Sequence, residues 1–423
     1  MLAYFVEHHR YMNFFGLAIL LVLAYVMSNN KKAVSLKTVI GGLLLQFALA
    51  VFILKTNIGH TIFATIGDGF ARLYEFAGHG ISFVFGNLAN PAAGAWGMVF
   101  AIKVLPIIIF FGAFTSLLFY LGIIQKVVSG ISFVVRPVLG TTGSETLCAI
   151  ANSFLGQTEA PLVIRHYLPH VTRSEMMVVM TSGFATVSGS LLAVYAAIGV
   201  PSLHLLASSV MAIPASMVMA KILYPETEQE SVKEPHEAEQ ASAGSANVLD
   251  AISSGTSDGL MLALNVGAML ISFLALIAMV NFLLGNLSDG INCLFAKMHI
   301  DSCVPDFSLN ALFAYCFSPI AYLFGLTGKE ALDAGMLLGT KVSINEFIAL
   351  NQMVTLQLSE RTVAILTYAL CSFANFSCIG IQIGGIGALV PSKRVWLSQL
   401  GLRALLAATL ANLSSACLVG LLI

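Results

Sequence analysis

Long apolar runs separated by short polar breaks are the feature that most limits how this chain can fold. They recur from about residue 12 to the end of the chain, and they are long enough to cross a hydrocarbon layer about 30 Å thick. Only 10% of the 423 residues are charged, whereas soluble domains carry about 25%. Because lipid cannot satisfy free peptide groups, each run is expected to be a helix. The sequence therefore predicts an all-α integral membrane protein.

Eight of these runs are predicted to span the membrane. They lie at roughly 12–28, 34–54, 98–122, 174–198, 202–222, 260–285, 363–389 and 400–423. Three other segments are too polar or too interrupted to cross alone, and these are 58–90, 124–170 and 305–352. With eight spans, the clusters of lysine and arginine fall on one side, which the positive-inside rule assigns to the cytoplasm. Both termini are therefore expected outside.

Charge and cysteine content argue against several other classes of function. The formal net charge is -1, and the basic residues form short clusters between apolar runs, so no nucleic-acid surface is expected. The seven cysteines include no C-x-x-C pair and are interpreted mainly as buried packing residues. The one extended hydrophilic stretch, Pro225 to Ala246, contains six glutamates and is predicted to be a solvated cytoplasmic linker.

A short repeat relates the two sides of this linker. The segment FATVS, which begins at Phe184, resembles FANFS, which begins at Phe373. Glu159 precedes the first segment by 25 residues, and Glu346 precedes the second by 27. Repeats with interrupted hydrophobic segments at matching positions are typical of transporters that bind their substrate near the bilayer midplane.

The segment 152–161 interrupts apolar sequence with glycine, proline and hydrogen-bonding side chains. A re-entrant hairpin is expected here, because its tip backbone can line a cavity instead of facing lipid. Intramembrane carboxylates are costly and usually functional, so Glu159 is a candidate site residue. The alternative is that Glu159 pairs with Arg165 or His166 at the membrane surface.

The segment 341–347 has the same place in the second half of the chain. Glu346 is its candidate site residue, and the alternative is an internal ion pair with Lys341. In the seventh span, the amide of Asn375 needs buried partners, which a hydroxylated ligand could supply. Asn152 and Thr186 add neutral oxygens of the kind that unwound transporter segments use to hold Na⁺.

Several of these motifs resemble the concentrative nucleoside transporter family. The resemblance rests on Gly156–Leu162, Asn345–Phe347 and Cys371–Asn375, and it extends to residues 105–111 and 263–269. It implies eight spans, two re-entrant hairpins, interfacial helices and an inverted repeat, assembled as a homotrimer that works as an elevator.

The resemblance further implies a division of the chain into a scaffold and a moving transport domain. The expected boundaries are 1–122 and 249–290 for the scaffold, 123–222 and 305–423 for the two transport-domain repeats, and 223–248 for the linker.

Individual residues also acquire roles from this resemblance. The nucleobase would contact Gln157, Thr158 and Glu159, the ribose would contact Glu346, Asn375 and Cys378, and Phe373 and Leu262 would form an apolar wall. Sodium would be held by the side chains of Asn152 and Thr186 and the carbonyls of Leu155 and Val187. Cys378 stands where better-known members carry a ribose-binding serine, and a thiol is a weaker donor and acceptor than a hydroxyl. This departure bears on ribose selectivity.

The function implied is the uptake of nucleosides such as uridine, cytidine and adenosine across a bacterial plasma (inner) membrane. Na⁺ would drive it as the coupling ion, with no other cofactor. Proton coupling through one of the glutamates is an alternative. Two other classes are a passive channel and an intramembrane enzyme that uses the carboxylates as acid and base. No nucleophile or phosphate-binding motif accompanies the carboxylates, which argues against the enzyme.

Overall fold

The structure is a computed structural model that describes residues 7–90, 99–165, 167–228, 246–297 and 307–423. Within those ranges helices are the only regular secondary structure, with no strand. The prediction of an all-α fold is therefore confirmed for the described part of the chain. Most of the acidic linker lies outside the described residues.

The helices of the first half precede the linker. They are α1 (Arg10–Val26), α2 (Leu36–Lys55), α3 (Asn57–Phe85), α4 (Phe100–Lys103), α5 (Leu105–Tyr120), α6 (Ile123–Leu139), α7 (Gly143–Ala151), α8 (Arg173–Ala185), α9 (Gly189–Ala197) and α10 (Ser202–Leu223). A short 3₁₀ segment, Ala160–Ile164, lies between α7 and α8.

The helices of the second half follow the linker. They are α11 (Val248–Lys297), α12 (Leu309–Tyr322), α13 (Gly328–Ser343), α14 (Glu346–Thr355), α15 (Glu360–Leu370), α16 (Phe376–Leu389) and α17 (Arg394–Leu422).

Six largely helical stretches of the described residues are long and apolar enough to cross a membrane. They are Leu36–Lys55, Phe100–Tyr120, Arg173–Ala197, Ser202–Leu223, Leu274–Asn292 and Pro391–Leu422. The predicted first span is the shorter helix α1, and the predicted seventh span is divided between α15 and α16. The eight-span topology accordingly stays a prediction.

The fourth and seventh predicted spans are not continuous helices. α8 ends at Ala185 and α9 begins at Gly189, while α15 ends at Leu370 and α16 begins at Phe376. The two breaks coincide with the repeated FATVS and FANFS segments. They also meet in space, because the backbone N–H of Phe373 donates to the carbonyl of Thr186 over 3.2 Å. The repeat thus places two sets of helix ends together in the interior of the protein.

Burial separates a central group of helices from a peripheral one. In the most apolar part of the α8–α9 stretch, 94% of the residues are buried. In the part of α11 that is long enough to span a membrane, only 6% are buried. α11 packs on α5 through glycines: a Cβ on Gly112 would lie 2.6 Å from the Gly255 carbonyl, and one on Gly259 would lie 2.8 Å from the Ile108 carbonyl. Small residues allow membrane helices this close approach.

Two capping boxes fix the starts of α7 and α8. Thr142 pairs with Glu145 at the first helix, and Thr172 pairs with Glu175 at the second. The boxes are joined to each other, because the Thr142 hydroxyl donates to Glu175 over 2.6 Å. Lys221, near the end of α10, lies 2.7 Å from the Glu145 carboxylate. This buried cluster ties α7, which leads into the segment 152–161, to α8 and α10.

A second cluster, outside the predicted spans, ties α13 to α15. The Glu330 carboxylate accepts hydrogen bonds from the Thr362 hydroxyl at 2.5 Å and the Ser359 backbone N–H at 2.9 Å. Partial burial raises the pKa of Glu330, but these hydrogen bonds and the nearby Arg361 outweigh burial and hold the pKa below its usual value. Glu330 is therefore ionised at neutral pH.

Candidate functional site

Glu346 is a buried carboxylate at the first residue of α14. Its side chain is 5% exposed, and Asn345 caps the helix by accepting the Ile348 N–H over 2.9 Å. The carboxylate accepts one hydrogen bond from the Tyr195 hydroxyl and one from the Asn375 amide, each at 3.0 Å. The helix N-terminus further favours a negative charge at this place. The sequence-predicted pair of Glu346 and Asn375 is thus brought together.

Lys341 does not form the internal ion pair that was the alternative for Glu346. Its buried ammonium donates to the Ala369 carbonyl over 3.1 Å, at the end of α15. Lys341 still lies close enough to interact electrostatically with Glu346, but the hydrogen bonds to this carboxylate come from the neutral Tyr195 and Asn375.

Asn375 has partners on both ends of its amide. The oxygen caps α16 by accepting a hydrogen bond from the Cys378 N–H at 3.1 Å, and it accepts a second one from the Ser377 hydroxyl at 2.6 Å. The nitrogen donates to Glu346. Neighbouring side chains and backbone thus already satisfy this amide, and its contact with a hydroxylated ligand stays a prediction. Cys378 is 3% exposed, and the Phe373 side chain is half-buried.

The three residues predicted to contact a base differ in their surroundings. Gln157 is buried, and its oxygen accepts a hydrogen bond from the Gln382 amide at 3.2 Å. Thr158 is half-buried, whereas Glu159 is exposed and accepts the Gly156 N–H at 3.2 Å. The Gln157 side chain also lies near the Cys378 thiol, which brings the predicted base and ribose positions close to each other.

The alternative for Glu159 was a pairing at the membrane surface. Among the described residues Glu159 has no ion pair with Arg165, and His166 lies outside the described residues. The carboxylate of Asp258 on α11 lies close enough to interact electrostatically with Glu159. Leu262, one helical turn further on α11, is 37% exposed and is not part of the hydrogen-bonded group.

The predicted sodium ligands come together around the first helix break. Asn152 is fully buried, and its nitrogen donates to the Ser182 hydroxyl at 2.9 Å, while its oxygen has no partner in the part of the chain that the structure describes. The Thr186 hydroxyl donates to the Ser182 carbonyl at 2.9 Å, which leaves its oxygen lone pairs available.

The two predicted carbonyl ligands lie on the non-helical segments that follow Asn152 and Thr186. Leu155 and Val187 are buried and lie outside the helices. The Gly189 N–H donates to the Phe154 carbonyl at 3.1 Å, which holds the two non-helical segments against each other. Neutral oxygens on unwound segments suit a monovalent cation. No cluster of three or more His, Cys, Asp or Glu that could hold a metal occurs in the described ranges.

Sequence reasoning missed two residues of this group, Tyr195 and Gln382. Tyr195 lies on α9 in an apolar stretch, and nothing in its spacing links it to Glu346, which is 151 residues away. Gln382 had a signal that could have been used, since it is an uncharged amide within the apolar run of α16.

Gly385 sets the position of Thr158. A Cβ at Gly385 would lie 2.5 Å from the Thr158 methyl carbon, whereas a Cβ at the neighbouring Gly384 would meet nothing within 4 Å. We expect Gly385→Ala to displace Thr158 and to weaken nucleoside binding by about three- to tenfold, the range of one typical hydrogen bond. Dissociation constants of the purified protein measure this, with Gly384→Ala as the matched control. Equal affinity in the two variants would contradict it.

Buried helix breaks that carry polar groups, inside an all-helical apolar protein, define the class: a membrane transport protein. Comparisons with known proteins identify the family within this class. The family model described as "Na+ dependent nucleoside transporter C-terminus" matches residues 204–420, its N-terminal counterpart matches 15–88, and a model described as "Nucleoside recognition" matches 101–202. The chain belongs to the concentrative nucleoside transporter family.

Similar proteins come from bacteria and animals. The nucleoside permease NupC of Helicobacter pylori is 38% identical, with 96% of each chain covered, and an uncharacterized transporter of Haemophilus influenzae is 42% identical over the same shares. The rat sodium/nucleoside cotransporter 1 is 36% identical, with 97% of this chain and 63% of the rat protein covered. These homologues are transporters, so the protein is not an enzyme.

Solved structures of CNTnw are similar over the whole chain. The inward-facing, substrate-bound state gives a TM-score of 0.89 at 37% identity, with 99% of each chain covered. A variant in an outward-facing state also gives 0.89, at 36% identity with 97% covered. The fold is therefore that of a family whose models describe Na⁺ dependence, with Na⁺ as the coupling ion and no other cofactor indicated.

Proposed function

We propose that this protein is a symporter that takes up nucleosides such as uridine, cytidine and adenosine, driven by a sodium gradient. One observation carries the proposal. The break 186–188, whose Thr186 contacts Ser182 as Asn152 does, is hydrogen-bonded to the break 371–375, whose Asn375 donates to Glu346. An ion and a sugar bound at these places would share one set of helix ends.

The division of roles follows from the chemistry of a nucleoside. Its sugar is strongly hydrated, so a dry site must replace that water with buried acceptors. Glu346 supplies them, because a carboxylate can accept more than the two hydrogen bonds it holds here, and Asn375 has a second N–H left to donate to the sugar, with Cys378 beside it. The base is flat and less polar, and Gln157, Thr158 and Glu159 bind it, with Phe373 and Leu262 on its apolar side.

Sodium couples to the substrate through order in the segment 152–155. The unpartnered oxygen of Asn152, the hydroxyl of Thr186 and the carbonyls of Leu155 and Val187 close around the ion. The same segment leads directly to Gln157, so the base site forms fully only when the ion is bound. Differential affinity of both ligands for one state couples their transport.

Transport follows an elevator movement within a homotrimer in the bacterial inner membrane, with both termini outside. The scaffold comprises residues 1–122 and 249–290, and the glycine packing of α5 on α11 supports its rigidity. The exposed apolar surface of α11 supports a contact with lipid or with a second copy of the chain. The repeats at 123–222 and 305–423 move as the transport domain.

Uptake of labelled uridine by vesicles containing the purified protein tests the proposal. We expect an inward Na⁺ gradient to accumulate uridine above its outside concentration, because the ion and the substrate bind one state together. An equal gradient of K⁺ is the control. Uptake that follows a proton gradient without Na⁺ would support proton coupling instead, and uptake that never exceeds the outside concentration would indicate a passive channel.

A further inference from the structure

Gln382 is a fully buried amide in the middle of the apolar helix α16. Its nitrogen donates to the Met180 carbonyl of α8 at 3.1 Å and to the Gln157 oxygen at 3.2 Å. Among the described residues its own oxygen has no partner. Burying an amide in an apolar environment with one end unsatisfied costs free energy. Polar side chains that bear this cost inside a membrane protein are usually functional.

The direction of these hydrogen bonds is fixed by chemistry. A backbone carbonyl can only accept, so the amide nitrogen of Gln382 must point toward Met180. The second N–H on the same nitrogen then points toward Gln157, which must present its oxygen in return. The oxygen of Gln157 is thereby turned toward Gln382, so its NH₂ group, which has two N–H donors, is the end left for the neighbouring Cys378 thiol and the predicted base position.

Close packing keeps the two amides in this arrangement. A Cβ at Gly183 would lie 2.5 Å from the Gln382 nitrogen and 3.2 Å from the Gln157 Cβ, so only glycine leaves room for the pair at this point of α8. Rotation of either amide is accordingly restricted by its neighbours as well as by its hydrogen bonds.

We propose that Gln382 is a positioning residue that orients the Gln157 amide, so that Gln157 meets the nucleobase as a hydrogen-bond donor. This inference rests on the proposed function. A base that offers a carbonyl oxygen or an unprotonated ring nitrogen to Gln157 binds better than one that offers an amino group. Gln382 therefore contributes to selection among nucleosides without touching them.

Binding of a nucleoside panel to the purified full chain in saturating Na⁺ tests this proposal. The panel is uridine, cytidine, thymidine, adenosine and guanosine, and the readout is the ratio of the weakest to the tightest dissociation constant. In Gln382→Met, the Gln157 amide can turn either end to the base. We expect this ratio to shrink by about three- to tenfold, the equivalent of one hydrogen bond.

A second background isolates the route of the effect. In Gln157→Ala, the added substitution Gln382→Met is expected to leave the ratio unchanged, because Gln382 acts only through Gln157. Gln46→Met is the matched control for loss of a buried glutamine, since Gln46 bonds Ser415 on α17 and belongs to no part of the site. It is expected to keep the ratio of the unmodified protein. Gln382→Leu repeats the test if the methionine variant does not fold.

The contradicting results are distinct. If Gln382→Met weakens all five nucleosides by the same factor, or changes their ratio equally when Gln157 is alanine, Gln382 has only a structural role and the inference is wrong. If the unmodified protein binds none of the five in Na⁺, the proposed function itself fails and this inference fails with it.

Discussion

Glu346→Gln is expected to lower the affinity for every nucleoside by about 100-fold. The Tyr195 hydroxyl and the Asn375 amide both donate to this carboxylate. A glutamine has one acceptor oxygen, so one of these donors would face an NH₂ group. Loss of a hydrogen bond to a charged group costs about 1.5–3 kcal/mol, and 100-fold corresponds to about 2.7 kcal/mol. Because ribose is common to all the substrates, the loss is expected to be uniform.

Glu159→Gln provides the comparison for this prediction. Glu159 is exposed, and among the described residues it accepts one hydrogen bond, from the Gly156 N–H. We expect a loss of about tenfold or less, unequal among nucleosides, because this residue is assigned to the base. Binding of the nucleoside panel to both purified variants, with a thermal unfolding control, measures the difference. An equal loss of every nucleoside in Glu159→Gln would contradict the division of roles.

Asn152→Ala is expected to raise the Na⁺ concentration needed for half-maximal uridine uptake by tenfold or more. The Asn152 oxygen is a buried acceptor with no partner in the described structure, and alanine removes it. The Ser182 hydroxyl, which now accepts from the Asn152 nitrogen, would also lose this partner. Loss of one ligand from a small cation site therefore lowers the affinity for Na⁺, and the affinity for the nucleoside falls with it because the two are coupled.

Ser153→Ala is the matched control for Asn152→Ala. Ser153 is the next residue and is also buried, but its hydroxyl donates to the Ser209 carbonyl and not toward the predicted ion position. We expect its Na⁺ dependence to be that of the unmodified protein, with at most a small loss of thermal stability. Uptake over a series of Na⁺ concentrations distinguishes the two. If the Na⁺ concentration for half-maximal uptake rises equally in both variants, Asn152 is not a sodium ligand.

The general character of the fold could be predicted because it depends on average properties of long segments. Apolar runs with few charges leave the helix as the only structure that satisfies its own backbone in lipid. The polar interruption near Glu159 could be recognised for the same reason. The resemblance of its motifs to a known family added the finer architecture, which stays a prediction, and the matches to family models and solved structures confirm the family.

The details of the site were less accessible, because they depend on contacts between residues far apart in the chain. The breaks at 186–188 and 371–375 lie inside runs whose average hydropathy is high, so hydropathy predicted unbroken spans. Tyr195 contacts Glu346 from a different repeat. The sequence-based reading of Asn375 took its amide to need a ligand, but it could not show that a neighbouring carboxylate already fills that need.

The hydrogen bond between the Phe373 N–H and the Thr186 carbonyl bears on how tightly ion and substrate transport are coupled. Both partners are main-chain groups, so changing a side chain at either position leaves the bond in place, and only proline at 373 would delete the donor. Under the proposed roles, a substitution at Phe373 can reshape the apolar wall to admit other substrates, while the backbone hydrogen bond to the ion-binding break persists. Substrate specificity and the coupling to sodium can then change independently.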